Sequence, residues 1–336
     1  MPEIKQDIRG ATFVVAADDS LHKNMANYVC SGAADEVEIL LAINALPATG
    51  GEVVLLDGTY NVAASIAVAR SNFTLRGMGR GTIITTAVDN VDILTCVGGA
   101  GTELTNIILR DFLVRGFTAG IGNDIGILWD YVDQSKIINV RSELNTEHGF
   151  KLLRCDNDQL EGISGLSNVG YGMEIDSCTW LTITNPIMNS NTGRGFVLVS
   201  TTNISLLGLV CKSNGVSGLE LNNANNTVIE NAQCDANAIN GLFLYRCSRC
   251  SIIGGQFNNQ TGGDGINITG DGGGNADYNV IMGCVCTGNS QSGIEIVAAA
   301  GQANKNIVVG NHLLGNTGVN LADAGTNTEV AHNITA

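Results

Sequence analysis

The chain of 336 residues has only 3 prolines, 15% charged residues, and no apolar run approaching the ~18 residues of a membrane-spanning helix; Val53 to Leu56 is typical of its longest. Its opening, M-P-E-I-K-Q-D-I-R-G, lacks the apolar stretch of a secretory leader. The few charges are lopsided, giving a net charge of −15. Such a chain repels phosphate, which argues against nucleic acid and against an anionic membrane surface, and no membrane insertion is expected. An acidic polysaccharide would need a local cluster of Lys and Arg. The ten cysteines show no C-x-x-C spacing apart from Cys247 and Cys250, and the chain is not a small secreted one.

What is abundant is glycine, 43 residues, and it is periodic. A Gly followed by apolar-x-apolar recurs at Gly126, Gly149, Gly172, Gly195, Gly218 and Gly241, each interval being 23 residues; looser copies begin at Gly265, Gly293 and Gly318. The triplets, from Ile127–Trp129 to Val319–Leu321, alternate with period two and predict short strands with one buried face. Eleven residues after each of the first six glycines stand Ile137, Leu160, Ile183, Leu206, Ile229 and Ile252. Four residues before a glycine stand Asn145, Asn168, Asn191, Asn214, Asn237 and Asn289, a column that can stack its amides in a ladder. Leucine-rich repeats would show L-x-x-L-x-L, and helical repeats run ~33–47 residues. A right-handed parallel β-helix of 23-residue coils is the expected fold, with coils ~4.8 Å apart. Cys155, Cys178 and Cys247 share one repeat position and Cys211, Cys234 and Cys286 another, so they read as buried internal stacks; a bridge between Cys155 and Cys178 stays open.

The front is different. Residues 34–46 have helical spacing in Val37, Leu40, Leu41 and Leu46, and Pro47 with Gly50 and Gly51 ends the pattern. A helix over the first coil would cover an exposed strand edge. The expected division is an N-terminal segment with a capping helix, 1–48, and a β-helix, 49–336, regular from about 126.

The run A-D-E-V-E-I-L-L-A-I-N-A-L-P-A-T-G-G-E-V-V-L-L-D-G-T-Y-N-V, then S-N-F-T-L-R-G-M-G-R-G-T-I-I, resembles the opening of the pectate-lyase-like superfamily, especially the β-helix domains of phage tailspikes and related glycan-active proteins. The resemblance spans about residues 34–84 and extends to the later coils. It implies a polysaccharide partner, a homotrimer, and an extracellular or virion-tail setting. It leaves open a polysaccharide hydrolase or lyase, a non-catalytic adhesin or structural spike, and a uronate lyase or epimerase. No N-T-D, G-H-G, R-I-K or D-P-H-D motif selects among them. Gly262–Thr269 nearly fits a calcium nonapeptide, but Asn267 replaces an Asp and the copy is single. No metal or other cofactor is expected, and the G-D-G-G-G-N loop that follows reads as an extended corner.

If the first and third residues after each Gly point inward, the second and fourth share the outer face. That face would carry Asp130, Lys151, Glu174, Asp176 and Glu220 as candidate catalytic residues. Glu174 and Asp176 are two residues apart, ~6.6 Å; Glu174 and Glu220 are two coils apart, ~9.6 Å. Both fall in or near the carboxyl separation of an inverting glycosidase. Lys151 beside Glu174 would lower that acid's pKa, making Asp176 or Glu220 the proton donor. In the elimination alternative, Lys151 or Arg154 handles the proton with His148 as a base. Tyr131, Arg154, Tyr245, Phe243, Arg246 and His148 complete the candidate substrate-binding set. The same charges are also explained as cross-strand pairing on a solvated face, and His148 as a corner residue. Trp129 is expected in the core and Trp180 in an exposed corner.

Overall fold

The computed structural model describes residues 11–117, 122–297 and 302–335; the opening ten residues, read above for a leader, lie outside this set. The chain winds as a right-handed parallel β-helix with three faces. One face is a 14-stranded sheet from Tyr28–Val29 and Thr12–Ala16 to Glu329–Ala331, and the second is an 11-stranded sheet from Ile66–Val68 to Leu321–Asp323. The third consists of two five-stranded sheets joined through the isolated bridges Ser164 to Ile187 and Ile187 to Val210. Pro186, which has no N–H to give a ladder, stands at that break.

The 23-residue register places like on like. Ile127 pairs with Phe150, Phe150 with Met173, Met173 with Phe196 and Phe196 with Leu219, all buried. Ile137, Leu160, Ile183, Leu206, Ile229 and Ile252 stack in the same way on the 14-stranded face. Trp129 is fully buried and Trp180 is exposed. All ten cysteines are free and buried, so the internal-stack alternative is the one realised.

The asparagine column forms a ladder two members longer than its spacing predicts. Asn145 Nδ2 donates to Asn168 Oδ1 at 2.7 Å, and the chain of amides continues through Asn191, Asn214 and Asn237. Gln260 then takes the place that the spacing leaves empty, before Asn289 and Asn316. Its extra methylene lets the amide reach the same line from the 24-residue coil. Each Asn also fixes a backbone N–H of the coil before it, as at Asn168 N to Asn191 Oδ1, 3.0 Å. The ladder corrects the register of the last coil. Ile294 pairs with Leu321, not with Val319, because Asn316 and Asn320 hold the ladder and corner positions; Val319 is exposed.

The helix α1 is Glu36–Ala45. Its inner face is Ile39, Ala42 and Ile43, followed by Leu46, the i, i+3, i+4, i+7 stripe. Val37 and Leu41, expected inward, are exposed. Arg70 from the next coil donates to the carbonyls of Ile43, Leu46 and Pro47, satisfying the end of the helix. Thr12–Ala16 pairs in parallel with Glu52–Leu55, so strands preceding α1 already belong to the 14-stranded sheet.

Candidate functional site

On the 11-stranded face the strands bury alternate residues, leaving Lys151, Glu174 and Asp176 partly accessible. Register puts Lys151 beside Glu174, and their side chains meet at 3.1 Å. His148 joins them from the corner just before the strand. Its Nδ1 accepts the backbone N–H of Tyr171 at 3.0 Å, so Nε2 carries the proton and donates to Glu174 Oε2 at 3.0 Å. Glu147 approaches the same Nε2 at 3.2 Å. Burial opposes ionisation of Glu174, but the His148 hydrogen bond and the charge and hydrogen bond of Lys151 outweigh it and hold the carboxyl below its ordinary value. With both nitrogens committed, His148 positions Glu174 rather than presenting a free base.

The other candidates fall into separate groups. Asp130 is gripped by Arg154, whose Nε donates at 3.0 Å and whose guanidinium lies 4.6 Å from the centre of the Tyr131 ring. Glu220 is largely buried and is paired with Arg194. Arg194 lies 5.4 Å from the Tyr171 ring and donates to its hydroxyl at 3.0 Å, and that ring stacks on His148 at 4.5 Å. Tyr245 underlies Arg246 at 4.7 Å, with Phe243 stacked beside it at 6.0 Å. Arg246 donates twice to Asp271, both at 2.6 Å, and Tyr245 also donates to that carboxylate, which these bonds hold far below its ordinary range. Asp176 accepts from Ser177 at 2.8 Å and joins none of these groups.

The geometry therefore repeats one unit three times: a tyrosine ring, an arginine lying over it, and a carboxylate holding the arginine. The members are Tyr131, Arg154 and Asp130; Tyr171, Arg194 and Glu220; and Tyr245, Arg246 and Asp271. Glu147, Tyr171, Arg194 and Asp271 escape a search confined to the outward strand positions. The residue just before each Gly would reveal two of them, because His148, Tyr171 and Arg194 occupy that column in successive coils.

The architecture defines a protein class that comparison bears out. The A-module of the Azotobacter vinelandii mannuronan C-5 epimerase AlgE4 is 17% identical, with 89% of this chain and 90% of that one covered and a TM-score of 0.64. The catalytic domain of a GH87 α-1,3-glucanase in complex with nigerose is 12% identical, with coverages of 90% and 64% and a TM-score of 0.66. ORF18 of Geobacillus virus E2 is 18% identical, with a TM-score of 0.63; 88% of this chain is covered but 56% of the viral one, so the chain spans about half of that protein's length. These likenesses are of fold. Among curated proteins none matches this sequence. A family model described as "Periplasmic copper-binding protein (NosD)" matches residues 163–336, and the chain belongs to that family.

Copper favours imidazole, thiolate and thioether donors. Among the described residues one group of three or more His, Cys, Asp or Glu side chains converges, Cys30, Asp35 and Glu38. It offers two carboxylates to one thiol. Asp35 already accepts backbone N–H groups from Gly32 at 2.9 Å and Asn61 at 2.7 Å. Burial, with Asp35 and Glu38 adding to it, pushes the Cys30 thiol above its usual range. This donor set does not fit copper.

Proposed function

We propose that the protein binds a neutral polysaccharide along the 11-stranded face, as a glycan-directed β-helix of the tailspike type. The three Tyr–Arg–carboxylate units carry this reading. Each sets an aromatic ring and a guanidinium beside carboxylate oxygens that accept hydroxyl hydrogens; Tyr171, between His148 and Arg194, and Arg246, between Tyr245 and the Gly273 backbone, offer a sugar their edges rather than an open face. From Tyr131 to Tyr245 the units span five coils, ~24 Å along the axis, which suits an extended chain better than a single small molecule. The arginines and Lys151 are already neutralised by partners, and the chain as a whole carries −15. A uronate polymer would thus meet little uncompensated positive charge, which weighs against the lyase and epimerase alternatives.

Cleavage is the finer question. Glu174, held ionised, suits a base or a charge stabiliser and not a proton donor; Asp176, two residues along the same strand and on the same face, is the acid this reading assigns. The setting is read as extracytoplasmic, a reading that the family's printed description as periplasmic supports. The test is calorimetric titration with dextran, nigero-, xylo- and manno-oligosaccharides, alongside mannuronan and polygalacturonate, with reducing ends and unsaturated products followed in parallel. Binding of a neutral oligosaccharide is expected. New reducing ends would add hydrolysis, and binding without products would make the protein an adhesin. Failure of every glycan to bind would overturn the proposal.

A further inference from the structure

The third Tyr–Arg–carboxylate unit differs from the others because its carboxylate comes from outside the regular coil. The coil beginning at Gly265 is 28 residues long, not 23, and the excess forms a loop at its corner. Asp271 and Gly274 close that loop through two backbone hydrogen bonds of 3.0 Å. It lies flush on Arg246: a Cβ on Gly273 would come within 2.6 Å of the guanidinium. Asn275 Nδ2 donates to Asp277 at 3.0 Å, and Asp277 accepts the N–H of Asn304 at 2.7 Å, which ties the loop to the next coil. The loop is thus a built wall rather than slack chain.

Behind it lies a groove of about 670 Å³, within the size range of small-ligand sites. Thr202, Asn225 and Ser248 line it in successive coils. Asn223, Asn226 and Arg249 also line it, and among the described residues these three side chains make no hydrogen bond or ion pair. Their backbones have positive φ, which accounts for asparagine as a turn residue. It does not explain the set. The same two corner positions hold Arg154 and Asn157 in one coil and Ser177 and Trp180 in the next, all at positive φ. The solenoid accepts many residues there, so uncommitted donors and acceptors converging on one walled groove are not dictated by the fold.

We propose that this corner groove is a sugar subsite, holding the hydroxyls of one or two neutral sugar units with Asn223, Asn226 and Arg249, while Arg246 and the exposed ring of Tyr278 also line it. This rests on the glycan reading above and places a second, side-on contact at the end of the face, suited to a branch or a chain end. Asp271 neutralises Arg246, and Asp277 is the aspartate that lines the groove with Arg249. The test uses the full chain and the same dextran, nigero-, xylo- and manno-oligosaccharides. The double variant Asn226→Ala/Arg249→Ala is expected to weaken the best wild-type ligand at least tenfold with an unchanged melting temperature. Tyr171→Ala, on the central unit, is the comparison. If Tyr171→Ala weakens binding and the double variant does not, the groove assignment is overturned and the glycan reading stands. If neither variant changes the binding seen in the wild type, both sites are overturned. If the wild type binds none of the four, the glycan reading falls and the groove assignment with it.

Discussion

Asp158 offers the sharpest test of the structure, because its energetics can be isolated from everything else that titrates. It stands nine residues after Gly149, where neighbouring coils carry Ser135 and Leu181, and it is 1% exposed. Its Oδ1 accepts the backbone N–H of Ser135 at 2.7 Å, while Oδ2 is buried without a partner. Burial is the largest influence, and Cys155, Asp133 and Asp156 add to it against the Ser135 hydrogen bond, pushing the carboxyl up to about 9. In the folded state the group is therefore protonated at neutral pH, whereas in the unfolded chain it ionises near 4. A raised folded-state pKa stabilises fully below the unfolded value, and that contribution is lost as pH rises from about 4 through about 9. Each pH unit in this window costs up to ~1.4 kcal/mol.

The informative substitution is Asp158→Asn. Two later coils already carry asparagine in the corresponding position: Asn279 Nδ2 donates to the carbonyl of Cys247 at 2.9 Å and to Asn306 Oδ1 at 3.1 Å. The variant keeps the acceptor for Ser135 and removes the titration. Any fixed cost of the amide cancels if stability differences are compared between pH values. From pH 5 to pH 7 the variant should gain on the wild type by up to ~2.8 kcal/mol, two units at ~1.4. Denaturant unfolding of both proteins at pH 5, 6, 7 and 8 measures it. Parallel curves, with a constant difference at every pH, would show that Asp158 is not a protonated buried acid and would refute the reasoning.

Asn191→Ala removes the acceptor for both the backbone N–H and the Nδ2 of Asn168, each at 3.0 Å, so a loss of ~2–4 kcal/mol is expected by denaturant unfolding; a loss below ~1 would sink the ladder as a stabilising element. The ten buried thiols should all resist a disulfide-exchange reagent in the native protein and all react in guanidinium, and rapid reaction of several in the native state would contradict their placement. Lys151→Met removes one of the groups that hold the Glu174 carboxyl down, so its midpoint, followed by carbon-13 NMR, should move upward; an unmoved midpoint would mean that Lys151 does not act on it. A homotrimer is expected from the resemblance to tailspikes, and light scattering that returns the monomer mass excludes it.

The fold was legible because a solenoid repeats its constraints: an inward Ile or Phe meets its counterpart one coil away, so each column of the sequence is a column of the core. The same logic misled where spacing was read from glycine alone. At the last coil a Gly occurs two residues before the true corner, and the amide ladder through Asn316, which costs more to break than a corner glycine costs to replace, decides the register. The site was harder to read for a physical reason. Strand alternation tells which way a residue points, and it located Asp130, Lys151, Glu174, Glu220 and Tyr245. It says nothing about corners, where positive φ at Tyr131, Arg154 and Arg246 turns the chain and redirects the side chain over its neighbour. Each Tyr–Arg–carboxylate unit takes members from both a strand and a corner, so neither column alone reveals it. Corner columns escape the packing that fixes the strands, since Arg154, Ser177, Asn223 and Arg246 occupy one such column with the same backbone. Variation there costs the fold little, which makes the corners the part of this solenoid most open to specifying what is bound.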